Sequence, residues 1–119
     1  MRMSYQQSIV HNSSNMPLDN SYKIFFEKRF QRVLDCLPED IKVAFDAKTD
    51  YFRSNPKHPS LNTKSLTVSV KKLKQLGVDQ VYEFYINRKD YRCVFYVIHE
   101  SKEIIIAFIG NHTQIKNKF

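Results

Sequence analysis

The apolar positions change period along the chain. Residues 22–26 form a short aromatic run suited to a strand. They lead into Phe26, Phe30, Val33, Leu34 and Leu37, spaced i, i+4, i+7, i+8 and i+11, the stripe that one face of an α-helix presents. Pro38 before Glu39 and Asp40 predicts a fresh helical start, because Pro has no N–H to be orphaned in a first turn and the carboxylates complement the helix dipole. Ile41, Ala44, Phe45, Lys48 and Phe52 carry this second helix toward Pro56, which stops it.

Residues 56–76 read as a Pro-, Ser- and Lys-rich connector. Within it Leu66, Val68 and Val70 alternate with Thr67 and Ser69, predicting a short strand before Lys71-Lys72-Leu73-Lys74 and a stop at Gly77. The remaining signal is β: residues 81–86, 91–98 and 104–109 are aromatic and β-branched runs joined by polar turns, an antiparallel meander. By the period of two, Tyr82, Phe84 and Ile86, then Cys93, Phe95 and Val97, face the helices. Val81, Glu83 and Tyr85, with Arg92, Val94 and Tyr96, are left on a face expected to be open. A strand, two helices and a meander define an α+β domain. Residues 1–20, rich in Ser, Asn and Gln without a sustained period, read as a flexible or loosely docked tail on a single domain over 21–119.

Composition narrows the class. At 119 residues, 42% hydrophobic and 26% charged with only 2 Gly and 4 Pro, wholesale disorder, collagen-like repeats and a multidomain enzyme are excluded. Nineteen Lys and Arg against twelve Asp and Glu leave a net charge of +7, which attracts phosphate-rich or acidic partners. Cys36 and Cys93 lack the spacing of a disulfide framework or a zinc site, and both are expected to be reduced and buried. The longest apolar runs, 93–98 and 104–109, are six residues each, far short of the roughly 20 a membrane span needs. With no signal-peptide core at the N-terminus, the reading is a cytoplasmic, soluble protein with no membrane partner. No Gly-rich phosphate loop, His-Glu-x-x-His or Gly-x-Ser-x-Gly motif occurs, so no cofactor, small-molecule or metal site is called for.

Charge and isolated polar residues supply the candidate chemistry. Arg53, Lys57, Lys64, Lys71, Lys72 and Lys74 fall between 51 and 78 without one acidic residue, with Tyr85, Tyr91 and Tyr96 nearby in sequence for stacking. That pattern is either a nucleic-acid footprint or an ordinary solvated lysine-rich loop. Arg92 sits in an apolar strand, where a charge needs a carboxylate partner or an open face. Glu83 on the adjacent strand is the obvious partner, and the alternative role for Arg92 is bidentate phosphate binding. His112 follows Gly110 at the end of the sheet, where it is either a capping residue or a proton-transfer group. His58, between Pro56 and Pro59, reads as a loop constituent, and His99 and His11 as unremarkable turn and tail residues.

Taken in order, the strand at 22–26, the two helices, His58-Pro59-Ser60-Leu61, Lys64-Ser65-Leu66, Val81-Tyr82-Glu83, Tyr91-Arg92-Cys93-Val94-Phe95 and Ile109-Gly110-Asn111-His112 resemble the RelE/ParE toxin superfamily over roughly 22–115. The resemblance implies a twisted antiparallel sheet of about four strands with two N-terminal helices on one face. It further implies the toxin of a type II toxin–antitoxin pair, usually an endoribonuclease that cuts mRNA on the ribosome, held in check by a cognate antitoxin. Arg92 is similar to the family's phosphate-stabilising Arg, His112 to the general acid or base that some branches place after the last strand, Lys64 to a residue of the basic loop, and Glu83 to a residue of the Val-Tyr-Glu pattern with a structural role. Lys116 joins Lys64 as a supplementary cation, and Arg92→Ala is expected to remove most cleavage at unchanged fold stability.

Three features depart from the family pattern. The segment 113–119 has neither the Tyr nor the second Arg that several nucleolytic members carry, residues 67–80 form a longer link than usual, and the 20-residue tail is additional. Two other readings stand beside the nuclease: a non-enzymatic inhibitor similar to the gyrase-poisoning branch, and a non-toxic basic nucleic-acid- or protein-binding domain.

Overall fold

A computed structural model of the chain describes residues 18–87 and 90–119, and in it the aromatic run after Tyr22 becomes strand β1 (Lys23–Phe26). Helix α1 (Phe30–Asp35) buries Phe30. Helix α2 (Glu39–Ser54) starts on Pro38 with Glu39 and Asp40 in its first turn and buries Ile41, Phe45 and Phe52 along one face, as the spacing requires. A 3-10 turn at Pro59–Leu61 follows, with His58 Nδ1 accepting from the Ser60 backbone N–H at 3.1 Å. It hands the chain to β2 (Lys64–Ser65). Then come α3 (Val70–Leu76), β3 (Gln80–Tyr85), β4 (Tyr91–Ile98), β5 (Glu103–Asn111) and α4 (His112–Lys118).

Among the described residues the sheet has five strands in the order β1-β5-β4-β3-β2. It is mixed where an antiparallel sheet was expected: β1 lies parallel to β5, with Lys23 opposite Glu103 and Phe26 opposite Ile106. The helices carry the chain from one edge to the other, and three antiparallel steps back through β3, β4 and β5 then leave β5 running in the direction of β1. A register shift at Val94/Phe95 lets Ile106 and Ile109 both reach the helix side, since Phe95 pairs with Ile106 and Val94 with Phe108, leaving Ala107 extra. The α+β class holds, with one strand more than expected.

Two expectations for 66–77 are corrected. Leu66 keeps one ladder bond, its N–H donating to the Val81 carbonyl at 2.9 Å, but Leu66, Val68 and Val70 do not continue the strand. Residues 70–76 instead form α3, opened by the Ser69 hydroxyl accepting from the Lys72 N–H and closed by Gly77 at φ 73°, a left-handed conformation that glycine adopts at little cost. Leu73 and Leu76 bring α3 onto the sheet, and α4 docks beside it through Ile115 and Phe119. Together with Leu66, Val68, Tyr96 and Phe108 they cover Val81 and Val94 in a second apolar cluster. The face expected to be open is therefore largely roofed. Amphipathic segments after β2 and β5 had no other apolar surface to bury against.

On the opposite face the main core joins Phe30, Phe45, Phe52 and Leu61 to Phe84, Cys93, Phe95, Val97, Ile104 and Ile106. Phe95 is its hub: it stacks on Tyr82 at 5.4 Å and meets Phe52 edge-on at 4.9 Å. Burial pushes the Cys93 thiol well above its ordinary range. Cys36, expected to be buried, is exposed at the end of α1. The expected tail over 1–20 lies mostly outside the described residues, and Leu18 and Tyr22 already belong to the core. No helix among the described residues is long and apolar enough to cross a membrane.

His99, read as an unremarkable turn residue, is 3% exposed. Its Nε2 lies 2.9 Å from Gln80 Oε1, which also accepts from the Tyr82 hydroxyl at 3.0 Å, and its Nδ1 lies 2.7 Å from the Tyr22 hydroxyl. A carbonyl oxygen can only accept, so Nε2 carries the proton and Nδ1 accepts from Tyr22. The network holds a neutral imidazole. Burial lowers the His99 pKa, and the Asp79 carboxylate opposes that shift. The unfolded chain therefore takes up a proton first as pH falls. The stabilisation present above the unfolded value of about 6.5 is lost as pH drops toward the folded value. Urea midpoints are expected to fall between pH 7.5 and 5.5, and to fall less in His99→Gln. Equal falls in the two proteins would remove His99 as the cause.

Candidate functional site

β3 and β4 place Glu83, Tyr85 and Arg92 on the face toward α3 and α4. Tyr85 stands directly opposite Arg92, and Glu83 is opposite Val94 on one side and Lys64 on the other. On β5 the position opposite Arg92 is Gly110. A Cβ there would come within 2.7 Å of Gln114 Oε1 and 2.9 Å of the Phe108 ring, so glycine lets α4 fold back tightly over the strand end. Asn111 and Gln114 then form a reciprocal capping box, satisfying two backbone N–H groups at the start of α4. That cap places His112 next to Arg92.

The Arg92 guanidinium is the centre of the cluster. Its Nη1 donates to His112 Nδ1, its Nη2 lies 3.3 Å from Asp90 Oδ1, and Nη1 is 4.0 Å from Glu83 Oε1. Its carbon Cζ is 4.6 Å from the Tyr85 ring centroid, and Lys64 Nζ is 5.4 Å from the same centroid. The Arg92 and Glu83 side chains are only 13% and 11% exposed. The predicted Glu83–Arg92 pairing exists, though at the outer limit of an ion pair. Within it, Glu83 Oε1 and Arg92 Nε are buried without hydrogen-bond partners among the described residues. An unmade hydrogen bond of this kind costs about 1–3 kcal/mol, more for charged groups. One acceptor and one donor thus stand unused in the same cluster.

Glu83 and His112 open into a cavity of about 410 Å³ lined also by Leu66, Thr67, Ile115, Lys116 and Phe119. Since Arg has no acceptor, His112 Nδ1 accepts from it, leaving the ring proton on Nε2. Acceptor, imidazole, guanidinium and cations meet here, the set needed to move protons about an anion and neutralise its charge.

The other predicted residues do not all gather at this groove. Lys116 lines it, and Lys72 sits 5.9 Å from the Phe119 ring centroid on the neighbouring roof. Lys71 and Lys74 are exposed on α3. Arg53 ends α2, and Lys57 reaches toward the Tyr82 ring at 5.8 Å, a ring packed with the helix-side core. Tyr96 shares the face of Arg92 but packs edge-on against Phe119 at 6.3 Å and lines a separate cavity with Lys28, Arg29 and Lys118. Asp90 was not among the predicted residues. It lies in a polar turn at φ 82°, and no periodicity marks it; a short polar side chain that tolerates the left-handed region is the one available signal.

No protein-family model and no curated protein sequence matches the chain. Solved structures do. RelE–RelB from Pyrococcus horikoshii aligns at 20% identity and a TM-score of 0.55 over 76% of this chain and 93% of that one. The toxin–antitoxin complex RelBE2 from Mycobacterium tuberculosis aligns at 17% and 0.53 over 82% and 93%. The isolated Escherichia coli RelE toxin aligns at 15% and 0.52 over 82% and 99%. The chain therefore has a RelE-like fold.

Proposed function

We propose that this protein is the toxin of a toxin–antitoxin pair and an endoribonuclease that cleaves mRNA on the ribosome, in the cytoplasm. The observation that carries the reading is Glu83 Oε1 and Arg92 Nε, unpaired among the described residues, in one cluster with His112, where Glu83, His112 and Lys116 line the groove and Lys64 lies over the Tyr85 ring that Arg92 also faces. A ribonucleotide presents what these groups lack: a 2′-hydroxyl that can donate to Glu83 and phosphate oxygens that can accept from Arg92. Glu83 takes the 2′-hydroxyl proton, the 2′ oxygen attacks phosphorus, and the bond to the 5′ oxygen breaks. Arg92, drawn onto the phosphate, frees His112 Nδ1 to take a proton from solvent, and the imidazolium protonates the departing 5′ oxygen. The products are a 2′,3′-cyclic phosphate and a 5′-hydroxyl. Glu83 then returns its proton to solvent.

The solved RelE–RelB and RelBE2 structures are complexes, and the surface here suits such a partner. Phe25 and Phe26 on β1, an edge strand among the described residues, are 46% and 45% exposed, and Val70 on α3 is 68% exposed. Combined with a net charge of +7, these fit an acidic amphipathic antitoxin segment that orders as it binds.

Induction of the wild-type protein is expected to arrest growth and leave translated mRNA with 5′-hydroxyl ends. His112→Ala should lower the cleavage rate by roughly 10²- to 10⁴-fold, the usual worth of a positioned acid–base group. Arrest without RNA cleavage would instead favour the gyrase-inhibitor reading, and harmless expression a non-toxic binding domain.

A further inference from the structure

We propose that Asp90 is an internal competitor for the phosphate seat on Arg92, so that its carboxylate sets how tightly the groove holds an anionic ligand. The inference rests on the reading of Arg92 as the phosphate-binding group. Two observations carry it.

Asp90 is the removable partner. Its side chain is 49% exposed, against 13% for Arg92 and 11% for Glu83, so it can turn outward to water while the other two cannot. Its engagement is also incomplete. Oδ1 faces Arg92 Nη2 at 3.3 Å, while Oδ2 accepts from the His112 backbone N–H at 3.3 Å. With its second oxygen committed there, the carboxylate cannot span the guanidinium fork, and Arg92 Nε is left without a partner among the described residues.

A phosphodiester or inorganic phosphate offers two free oxygens on one phosphorus. These match Nε and Nη2 in the parallel, bidentate geometry that makes arginine–phosphate pairs strong. Such a ligand would displace Asp90 and supply the missing acceptor, with Lys64 near enough to share its charge. The seat is then closed by a weaker anion until a better one arrives.

Asp90→Asn tests this, because Asn keeps the side-chain oxygen available to the His112 N–H and removes only the charge. Two probes avoid turnover: inorganic phosphate, followed through the Arg92 Nε–H resonance, and an all-deoxyribose oligonucleotide, followed by fluorescence anisotropy. Asp46→Asn on the exposed surface of α2 controls for net charge. Asp90→Asn is expected to bind both probes about fivefold more tightly, equivalent to about 1 kcal/mol at 1.4 kcal/mol per decade, with Asp46→Asn close to wild type. Unchanged or weaker binding by Asp90→Asn would overturn the inference and leave Asp90 a turn anchor. Equal gains in both variants would assign the effect to overall charge and overturn it too. If the Arg92 resonance does not move with phosphate in any of the three proteins, the phosphate-binding role of Arg92 itself fails, and the Asp90 inference with it.

Discussion

Arg92→Ala is expected to lower RNA cleavage by roughly 10²- to 10³-fold, the loss seen when one preorganised donor to a developing negative charge is removed. Arg92 donates from within a mostly buried cluster, touching His112, Glu83, Asp90 and the Tyr85 ring. Its removal therefore does two things. Under the proposed mechanism it strips charge neutralisation from the reacting phosphate, and it strands Glu83 as a buried carboxylate without its cation. The second effect revises the expectation of unchanged stability: breaking a buried pair by deleting one partner is costly in general, so the Ala variant should also unfold at lower urea. Arg92→Lys separates the two. Lysine keeps a positive charge near Glu83 but cannot present the planar fork, so it should recover stability more than cleavage. Comparing single-turnover cleavage with urea midpoints for the two variants tests the assignment. If Arg92→Lys retains full cleavage, the bidentate role is wrong.

Phe95→Ala is expected to cost about 3–5 kcal/mol of folding stability, as large-to-small changes at fully buried aromatics do. Phe95 is 0% exposed and packs on Tyr82, Phe52 and Phe84, the point where α2 meets the central strands. Truncation leaves a void bounded by rings that cannot all move inward together. For a domain whose total stability is of the order of 5–15 kcal/mol, this is a large share, and urea unfolding followed by circular dichroism and fluorescence measures it. A loss below about 1 kcal/mol would mean the core repacks and that Phe95 is not the hub its contacts suggest. The Arg92 site lies on the opposite face, so cleavage by the fraction that remains folded should be near wild type.

These two sites differ in how far they could be read in advance. The helix-side core was legible because it follows two simple periods. Phe30, Ile41, Phe45 and Phe52 recur at helical spacing, while Phe84, Cys93, Phe95 and Val97 alternate along strands, and hydrophobic burial obeys those periods without regard to partners. The three long strands and the two N-terminal helices followed from the same signal. So did the pairing of Glu83 with Arg92, since a charge inside an apolar strand must find its opposite on a neighbour. Helices α3 and α4 were legible in principle but missed. Ser69 with Gly77, and Asn111 with Gln114, are cap signals, but seven residues carry too few apolar repeats to establish a period.

Tertiary structure alone decided the rest. The direction of β1 depends on how many times the chain crosses the sheet before β5 reaches it, which no local pattern encodes. The roofing of the second face depends on α3 and α4 docking together over Val81 and Val94. His99 became buried because Tyr22 and Gln80, distant in sequence, supply its two partners. Asp90 and His112 meet on Arg92 because a turn and a helix start converge from opposite ends of adjacent strands. The sequence by itself determined the helix-side core, from Phe45 and Phe52 to Phe84, Phe95 and Val97, and the need of Arg92 for a carboxylate, since those follow from single side chains and their periods. Which groups converge into one groove was decided by long-range closure of the chain, because hydrogen bonds and ion pairs act only over a few ångströms once distant segments have been brought together.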